Sequence, residues 1–294
     1  MGRLSEYVSF INSVPGAPKV DVAEIETIAF ETAENQWVDD ARAVSGLERY
    51  VEQYPDGAYL ARALADLAEA YREAGDAARA LDAADRLLRL RADAPQAPDV
   101  LLLKAEVLEE SYPDRRAEAL ETYKELERRA PARVNAEVYG GMMRLSSSPA
   151  DVINYARKVR AASGVSSDDL EEALFYEAGA LQDSGKRGDA EKIYRRLAAN
   201  PSTLYGARGA VALGEALMDS GRTDDAITAL LQFTDEGSPH AYWLARGYIA
   251  LADAYALKGE RATAREYLNA LKSNYPASDD DIRDIIKERL KKLK

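Results

Sequence analysis

The chain has 294 residues, of which 47% are hydrophobic and 31% are charged, as expected of a folded, water-soluble protein. A formal net charge of -12 argues against nucleic acid as the main ligand, because phosphate binding requires a clustered lysine and arginine surface. The absence of cysteine excludes disulfides, thiolate nucleophiles and sulfur-ligated zinc. The sequence contains no run of about 18 apolar residues, so no membrane span is predicted.

The first predicted element is a helix over residues 3–13, followed by a linker that ends at residue 20. Its apolar residues recur at helical spacing: Leu4, Tyr7, Val8 and Ile11. The segment has neither the basic start nor the apolar core of a signal peptide, so a structural helix is expected.

Four stretches further along the chain share one spacing, in which a small residue is followed by a glycine seven residues later and an alanine five residues after that. They are Ala68/Gly75/Ala80, Ala178/Gly185/Ala190, Gly214/Gly221/Ala226 and Ala252/Gly259/Ala264. Such internal periodicity is typical of a helical repeat array, in which each repeat buries its apolar face against its neighbours.

The last repeat illustrates the predicted unit. Its first helix has one apolar face, formed by Tyr248, Leu251, Ala252 and Tyr255. Gly259 is expected to end this helix with a left-handed residue, and Pro276 to end the second helix. Ala252 and Ala264 are small, which allows the two helices to approach closely.

Seven second helices carry the same apolar stripe. The stripes are Ala43/Leu47/Tyr50, Ala80/Ala84/Leu87, Ala119/Tyr123/Leu126, Val152/Ala156/Val159, Ala190/Tyr194/Leu197, Ala226/Leu230/Phe233 and Ala264/Leu268/Leu271. Successive stripes begin 33 to 39 residues apart, so the sequence predicts seven helix-turn-helix repeats over residues 21–276.

The fourth repeat departs from this pattern. Gly140 and Gly141 fall inside its first helix, and the segment 146–149 replaces the usual glycine turn, so local softness is expected. Met142 and Met143 are interpreted mainly as core residues that fill gaps, with an adaptable contact surface as the alternative.

Residues 277–294 predict a C-terminal helix that covers the last repeat. Three aspartates, Asp279 to Asp281, precede it and lysines end it, which complements the helix dipole. Contact of these lysines with an acidic partner or with lipid headgroups is the alternative interpretation.

The repeat resembles the tetratricopeptide repeat family over residues 25–276. Leu67 and Ala68 with Tyr71, and Leu251 and Ala252 with Tyr255, match its pattern of a leucine, a small residue and an aromatic residue three positions later. The resemblance implies an all-α, right-handed superhelical solenoid that acts as a protein-interaction scaffold. Trp37 and Trp243 lie at other phases of the repeat and are interpreted as local packing residues.

Two segments, 50–57 and 271–276, resemble bacterial envelope repeat proteins of the TolA-binding and outer-membrane-assembly type. This finer resemblance implies a periplasmic or envelope-associated protein, with a cytoplasmic location as the alternative. Because residues 1 and 2 lead directly into a helical pattern, residues 1–294 are interpreted as a single solenoid that is a piece of a longer array.

Partner binding is expected on the concave surface, which first helices line in such arrays. Three pairs of an arginine with an acid seven residues later recur there: Arg62 with Glu69, Arg208 with Glu215, and Arg246 with Asp253. Arg72, Glu106, Arg144, Glu172 and Asn135 are expected near the same surface. The arginines either hold a carboxylate or an extended peptide of a partner, or form a ladder of salt bridges with acids on neighbouring repeats.

Catalysis is not expected. The acid pairs at 168–169 and 171–172 open a helix, where carboxylates favour the dipole, and His240 is interpreted as an ordinary loop residue. No phosphate-binding loop, serine elbow or histidine-rich metal motif occurs, so no cofactor and no metal is predicted.

The alternatives to a scaffold are self-association, through Tyr242 and Trp243 or the N-terminal face, and recognition of a glycan or cell-wall polymer on aromatic platforms.

Overall fold

The all-α prediction is confirmed by the computed structural model, which describes residues 2–16, 19, 21–39, 44–276 and 279–293. These residues form sixteen α-helices and two short 3-10 helices, with no β-strand among them. They divide into two compact units, Met1–Val134 and Asn135–Lys294, which are described separately below.

The first unit contains one leading helix and three helix pairs. Its helices are α1 Gly2–Ser13, α2 Val22–Asp39, α3 Ser45–Gln53, α4 Leu60–Glu73, α5 Ala77–Leu90, α6 Ala97–Ser111 and α7 Arg116–Arg129, with 3-10 helices at Pro113–Arg115 and Pro131–Arg133. Helix α2 packs against α3, α4 against α5, and α6 against α7. The second helices α3 and α5 also contact the first helices that follow them, α4 and α6. These are the first three predicted repeats.

The second unit contains four helix pairs and a final helix. Its helices are α8 Ala136–Leu145, α9 Pro149–Ala161, α10 Ser167–Asp183, α11 Arg187–Ala198, α12 Leu204–Asp219, α13 Thr223–Glu236, α14 Ala241–Leu257, α15 Arg261–Asn274 and α16 Ile282–Lys292. Consecutive helices pack in pairs, so the number of predicted repeats agrees with the pairs seen in the described parts of both units.

The predicted glycine turns are confirmed. Gly75, Gly185, Gly221 and Gly259 all have positive φ, between 72° and 92°, a region that side chains with a Cβ rarely adopt. After Gly259, the N–H of Glu260 donates to the carbonyl of Tyr255 at 2.9 Å, which closes the end of α14. This bond is the 6→1 bond of a Schellman motif, and it directs the chain into the next helix.

The second-helix stripes face the core, as the periodicity predicts. In α13, Ala226 and Leu230 are fully buried and Phe233 is 3% exposed. Ala43, in the first stripe, lies outside the described residues, but its partners Leu47 and Tyr50 are buried. The apolar residues therefore form the contacts between helices on which the repeats depend.

The fourth repeat has a regular first helix despite its two glycines. Met142 and Met143 are buried in α8, which supports their interpretation as core residues. The Ser148 hydroxyl accepts from the N–H of Asp151 and so caps α9 in place of the missing glycine turn. Asn135, expected near the binding surface, caps α8 by accepting from the N–H of Val138 at 3.1 Å.

Helix α16 covers the last repeat of the second unit. Ile282 and Ile286 are fully buried in a core cluster that includes Ala264, Leu268 and Tyr275. The carboxylate of Asp280 accepts from the N–H of Ile282 at 3.1 Å and satisfies a free donor at the start of the helix. Among the described helices, none has the length and apolar character that a membrane crossing requires.

One carboxylate of the second unit is buried between two helices. Glu177 on α10 is only 4% exposed. It accepts a hydrogen bond from Nε of Arg157 at 3.0 Å and another from Arg160, and both arginines lie on α9. The pair of guanidinium groups compensates the charge that burial would otherwise make costly.

Candidate partner-binding surface

The first helices of the second unit and the final helix α16 lie side by side and present a row of charged side chains. Helix α8 contacts α10, α10 contacts α12, α12 contacts α14, and α14 contacts α16. Seven of the charged residues along this surface are called the first-helix row below: Arg144, Glu172, Arg208, Glu215, Arg246, Asp253 and Arg289.

Three ion pairs join neighbouring helices in the first-helix row. Arg144 on α8 reaches Glu172 on α10 at 3.1 Å. Two further pairs connect α14 to its neighbours, Arg246 with Glu215 on α12 at 3.7 Å and Asp253 with Arg289 on α16 at 2.9 Å. These predicted residues are thus paired between helices, as in the salt-bridge interpretation, rather than within one helix. Arg246 and Asp253, which are seven residues apart, have different partners.

Tyr205 extends this network across the contact between α10 and α12. Its hydroxyl donates to Oε1 of Glu172 at 2.6 Å, while Arg144 donates to the other carboxylate oxygen. Burial raises the pKa of the Tyr205 hydroxyl, and its hydrogen bond to Glu172 raises it further. The phenol therefore remains a hydrogen-bond donor at physiological pH.

Arg208 occupies a stack of aromatic rings. Its guanidinium carbon lies 4.3 Å from the centroid of the Phe175 ring, 5.0 Å from that of Tyr205 and 5.2 Å from that of Trp243. These three rings come from α10, α12 and α14. All lie within the range of a cation–π interaction, which positions the guanidinium without an acid.

Arg208 is also the unpaired member of the first-helix row. Its Nε atom is buried and has no hydrogen-bond partner, and no acid forms an ion pair with it among the described residues. The row contains four guanidinium groups and three carboxylates, and each carboxylate pairs with one of the other three arginines. Among these seven residues, Arg208 is therefore the one guanidinium group without an acid partner.

The first unit pairs its predicted residues differently. Arg62 on α4 forms an ion pair with Glu34 on α2, again between neighbouring repeats. Arg72 pairs with Glu69 within α4 at 2.5 Å. This hydrogen bond raises the pKa of Arg72, and the charge of Glu106 on α6 adds to the effect.

Asp66, on α4, is a half-buried acid near Glu34 and Arg62 that the periodicity did not indicate. Its Oδ2 atom is buried and has no hydrogen-bond partner. Burial raises the pKa of Asp66 to about 6, the negative charge of Glu34 raises it further, and the positive charge of Arg62 opposes this shift. The first unit thus carries a carboxyl group that titrates near neutral pH.

A cleft opens at the C-terminal end of the first-helix row. It has a volume of about 610 Å³ and is lined by α12, α14, α16 and the start of α15. Acids and bases of the row, Glu215, Asp253 and Arg289, stand beside the apolar side chain of Leu257, which is 66% exposed. An open, mixed surface of this kind suits a protein or peptide contact.

The two aromatic residues considered for self-association are engaged within the chain. The Tyr242 hydroxyl donates to Asp281 at 3.1 Å, and its ring makes an edge contact with Trp243. Trp243 in turn packs on Arg208. Both are partly buried, so neither stands out as a free aromatic platform.

Comparison with known proteins supports the tetratricopeptide repeat family. The family model for the tetratricopeptide repeat matches residues 242–278, which contain the last helix pair. A tetratricopeptide repeat protein from Parabacteroides merdae ATCC 43184 has a similar structure, with 15% sequence identity, a TM-score of 0.54, and coverage of 90% of this chain and 98% of that chain. Tetratricopeptide repeat proteins are in general non-catalytic scaffolds.

A second solved structure with the same fold is PilW, described as a widely conserved type IV pilus biogenesis factor. It is 21% identical, with a TM-score of 0.54, and the similarity covers 79% of this chain and 98% of that chain. At these identities the similarity establishes the fold alone. Among curated proteins, the comparison finds no sequence match.

Proposed function

We propose that this chain is a non-catalytic scaffold that binds a partner protein or peptide on the surface of its first helices. In the second unit the contact residues are those of the first-helix row, and in the first unit they are Arg62, Glu69, Arg72 and Glu106. The alternatives of a self-associating module and of a glycan-binding module use surfaces that bear aromatic residues.

One observation carries this proposal: the charged side chains of five neighbouring helices are held in fixed positions by contacts within the chain. The pairs Arg144 with Glu172 and Asp253 with Arg289 hold side chains that would otherwise sample many rotamers. A surface that is ordered before binding loses little conformational entropy when a partner binds.

The cellular context that we propose is a bacterial envelope assembly, with the chain in the periplasm or associated with the envelope. The description of PilW as a pilus biogenesis factor is compatible with this context, as is the sequence resemblance of residues 50–57 and 271–276. A cytoplasmic scaffold is the alternative.

The proposal is tested by affinity capture from separate envelope and soluble fractions of a bacterial extract. One variant replaces Arg144, Arg208 and Arg246 by glutamine. A control variant replaces three exposed arginines of second helices, Arg187, Arg196 and Arg265, and so makes the same change in charge. Circular dichroism verifies that both remain helical.

We expect the wild-type chain and the control to retain a common partner that the first variant loses. Equal retention by all three proteins would exclude the first-helix row as the binding surface. The fraction that yields the partner indicates the compartment.

A further inference from the structure

We infer that Arg208 is a binding site for a single carboxylate group, contributed by the partner of the proposed scaffold. The inference rests on the proposed function, since it names the chemistry that the first-helix row recognises. It starts from the contrast between Arg208 and its neighbours, because Arg144, Arg246 and Arg289 each have an acid within the chain.

The position of Arg208 makes an external acceptor favourable. A guanidinium group that is partly removed from water and lacks a hydrogen-bonded partner is costly, even where aromatic rings stabilise its charge. The rings of Phe175 and Trp243 hold it in place, so the order needed for binding already exists. A ligand that accepts from Arg208 removes the cost without displacing an internal partner.

The accessible atoms of Arg208 determine how the ligand approaches. Its Nε is buried, so hydrogen bonds to a ligand come from the terminal Nη groups. A carboxylate accepts two parallel hydrogen bonds from such a fork, a geometry that lysine does not provide. The expected complex is therefore an end-on, bidentate pair.

The surrounding charges favour one negative charge over two. Tyr205, which contacts Arg208, is hydrogen bonded to the carboxylate of Glu172, and Glu215 lies further along α12. A carboxylate neutralises the single charge of Arg208, whereas a doubly charged phosphate would add repulsion with these acids. The net charge of -12 for the whole chain acts in the same direction.

Two parts of a protein partner supply a carboxylate: its C-terminus and its aspartate or glutamate side chains. Three N-acetylated tripeptides separate these sources. Ac-Ala-Ala-Ala with a free C-terminus carries only the terminal group, Ac-Ala-Asp-Ala-amide carries only the side-chain group, and Ac-Ala-Asn-Ala-amide carries neither. Inorganic phosphate at equal ionic strength provides the competing anion.

The readout is the indole N–H signal of Trp243 in a nitrogen–proton NMR spectrum of the full chain. The chain has two tryptophans, and a Trp37→Phe variant assigns the two signals. We expect a saturable shift of the Trp243 signal with at least one of the two carboxylate peptides and none with the asparagine peptide. Whichever carboxylate peptide binds identifies the source.

Variants of Arg208 test the role of its fork. Arg208→Lys keeps the charge and is expected to weaken binding by about tenfold or more, while Arg208→Gln abolishes saturable binding. The matched control Arg265→Gln removes an exposed arginine of the second helix α15, outside the row, and is expected to bind within about twofold of the wild type. Circular dichroism verifies the helicity of each variant.

Three results would overturn the inference: no saturable shift with either carboxylate peptide, equal shifts with the asparagine peptide, or phosphate binding as tight as that of the carboxylates. Loss of the captured partner on replacement of the row arginines would still support the scaffold in that case. Peptide binding at Arg208 together with equal capture by all proteins would instead support the site and contradict the proposed scaffold surface.

Discussion

Gly214 on α12 lies against Leu230 on α13 so closely that a Cβ atom at position 214 would stand 2.6 Å from the Leu230 side chain. Leu230 is fully buried and has little space into which to move. The glycine therefore sets the distance between the two helices of this repeat, as alanine does in the repeats that have Ala178 or Ala252 at the same place.

Replacing Gly214 by alanine is expected to lower the free energy of unfolding by about 1–3 kcal/mol, because the added methyl group overpacks the helix interface. Gly188→Ala serves as the control, since a Cβ there would enter open space at the exposed start of α11. Chemical denaturation measures both. A Gly214→Ala protein as stable as the control would contradict the close approach.

Glu177 provides a second test. Replacing Glu177 by glutamine is expected to destabilise the chain by about 2 kcal/mol, because two guanidinium groups of α9 lose their buried partner. Asp189→Asn breaks an ion pair with Lys192 in which both side chains are more than half exposed, 60% and 79%, and should cost less than about 0.5 kcal/mol. Urea denaturation of both variants distinguishes these values, and similar losses would mean that burial of Glu177 is unimportant.

Asp66 makes stability depend on pH. Its pKa of about 6 in the folded chain exceeds the ordinary value of 3.8, so the folded state binds its proton more tightly than the unfolded state does. The contribution of Asp66 to stability is therefore lost as the pH rises from about 4 through 6. Because an asparagine cannot lose this proton, Asp66→Asn is expected to gain about 1–3 kcal/mol relative to the wild type over this range, the lower figure allowing for the partial exposure of Asp66.

The measurement for Asp66 is the difference in unfolding free energy between the two proteins at several pH values. Groups that do not interact with Asp66 cancel in this difference, which therefore reports the titration of Asp66 together with its coupling to Glu34 and Arg62. A difference that does not change between pH 4 and pH 7 would show that Asp66 titrates normally.

Helix α16 is expected to stabilise the last repeat through Ile286. Ile286→Ala removes a fully buried side chain and should cost about 2–5 kcal/mol. Ile285→Ala changes the same residue type on the same helix at a partly buried position, and its cost should be less than half as large. Equal effects in thermal or chemical unfolding would indicate that α16 is not docked through Ile286.

Much of the helical architecture was predictable because it depends on local rules. The small residue, the glycine and the alanine of each turn act within one helix pair, so positions such as Gly259 and Ala264 indicate the same turn wherever they recur. The buried stripes followed from the 3.6-residue period alone. Even Gly140 did not interrupt the helix that contains it.

The surface was less predictable because it depends on contacts between repeats. Spacing within one helix placed Arg246 near Asp253, but the structure pairs Arg246 with Glu215 on the preceding first helix. The stack on Arg208 was missed for the same reason, since its rings come from three helices. A signal was present, because Phe175, Arg208 and Trp243 follow one another at about the repeat length, but only an alignment of the repeats makes it visible.

The ion pairs between first helices have a consequence for how such a surface changes. Each pair closes between two adjacent repeats, as Arg144 does with Glu172, and repeats further away do not take part. Exchanging both members of one pair therefore alters the pattern of charge at one position and leaves the others intact. Specificity can diverge stepwise in evolution, or be redesigned, by changing one repeat boundary at a time.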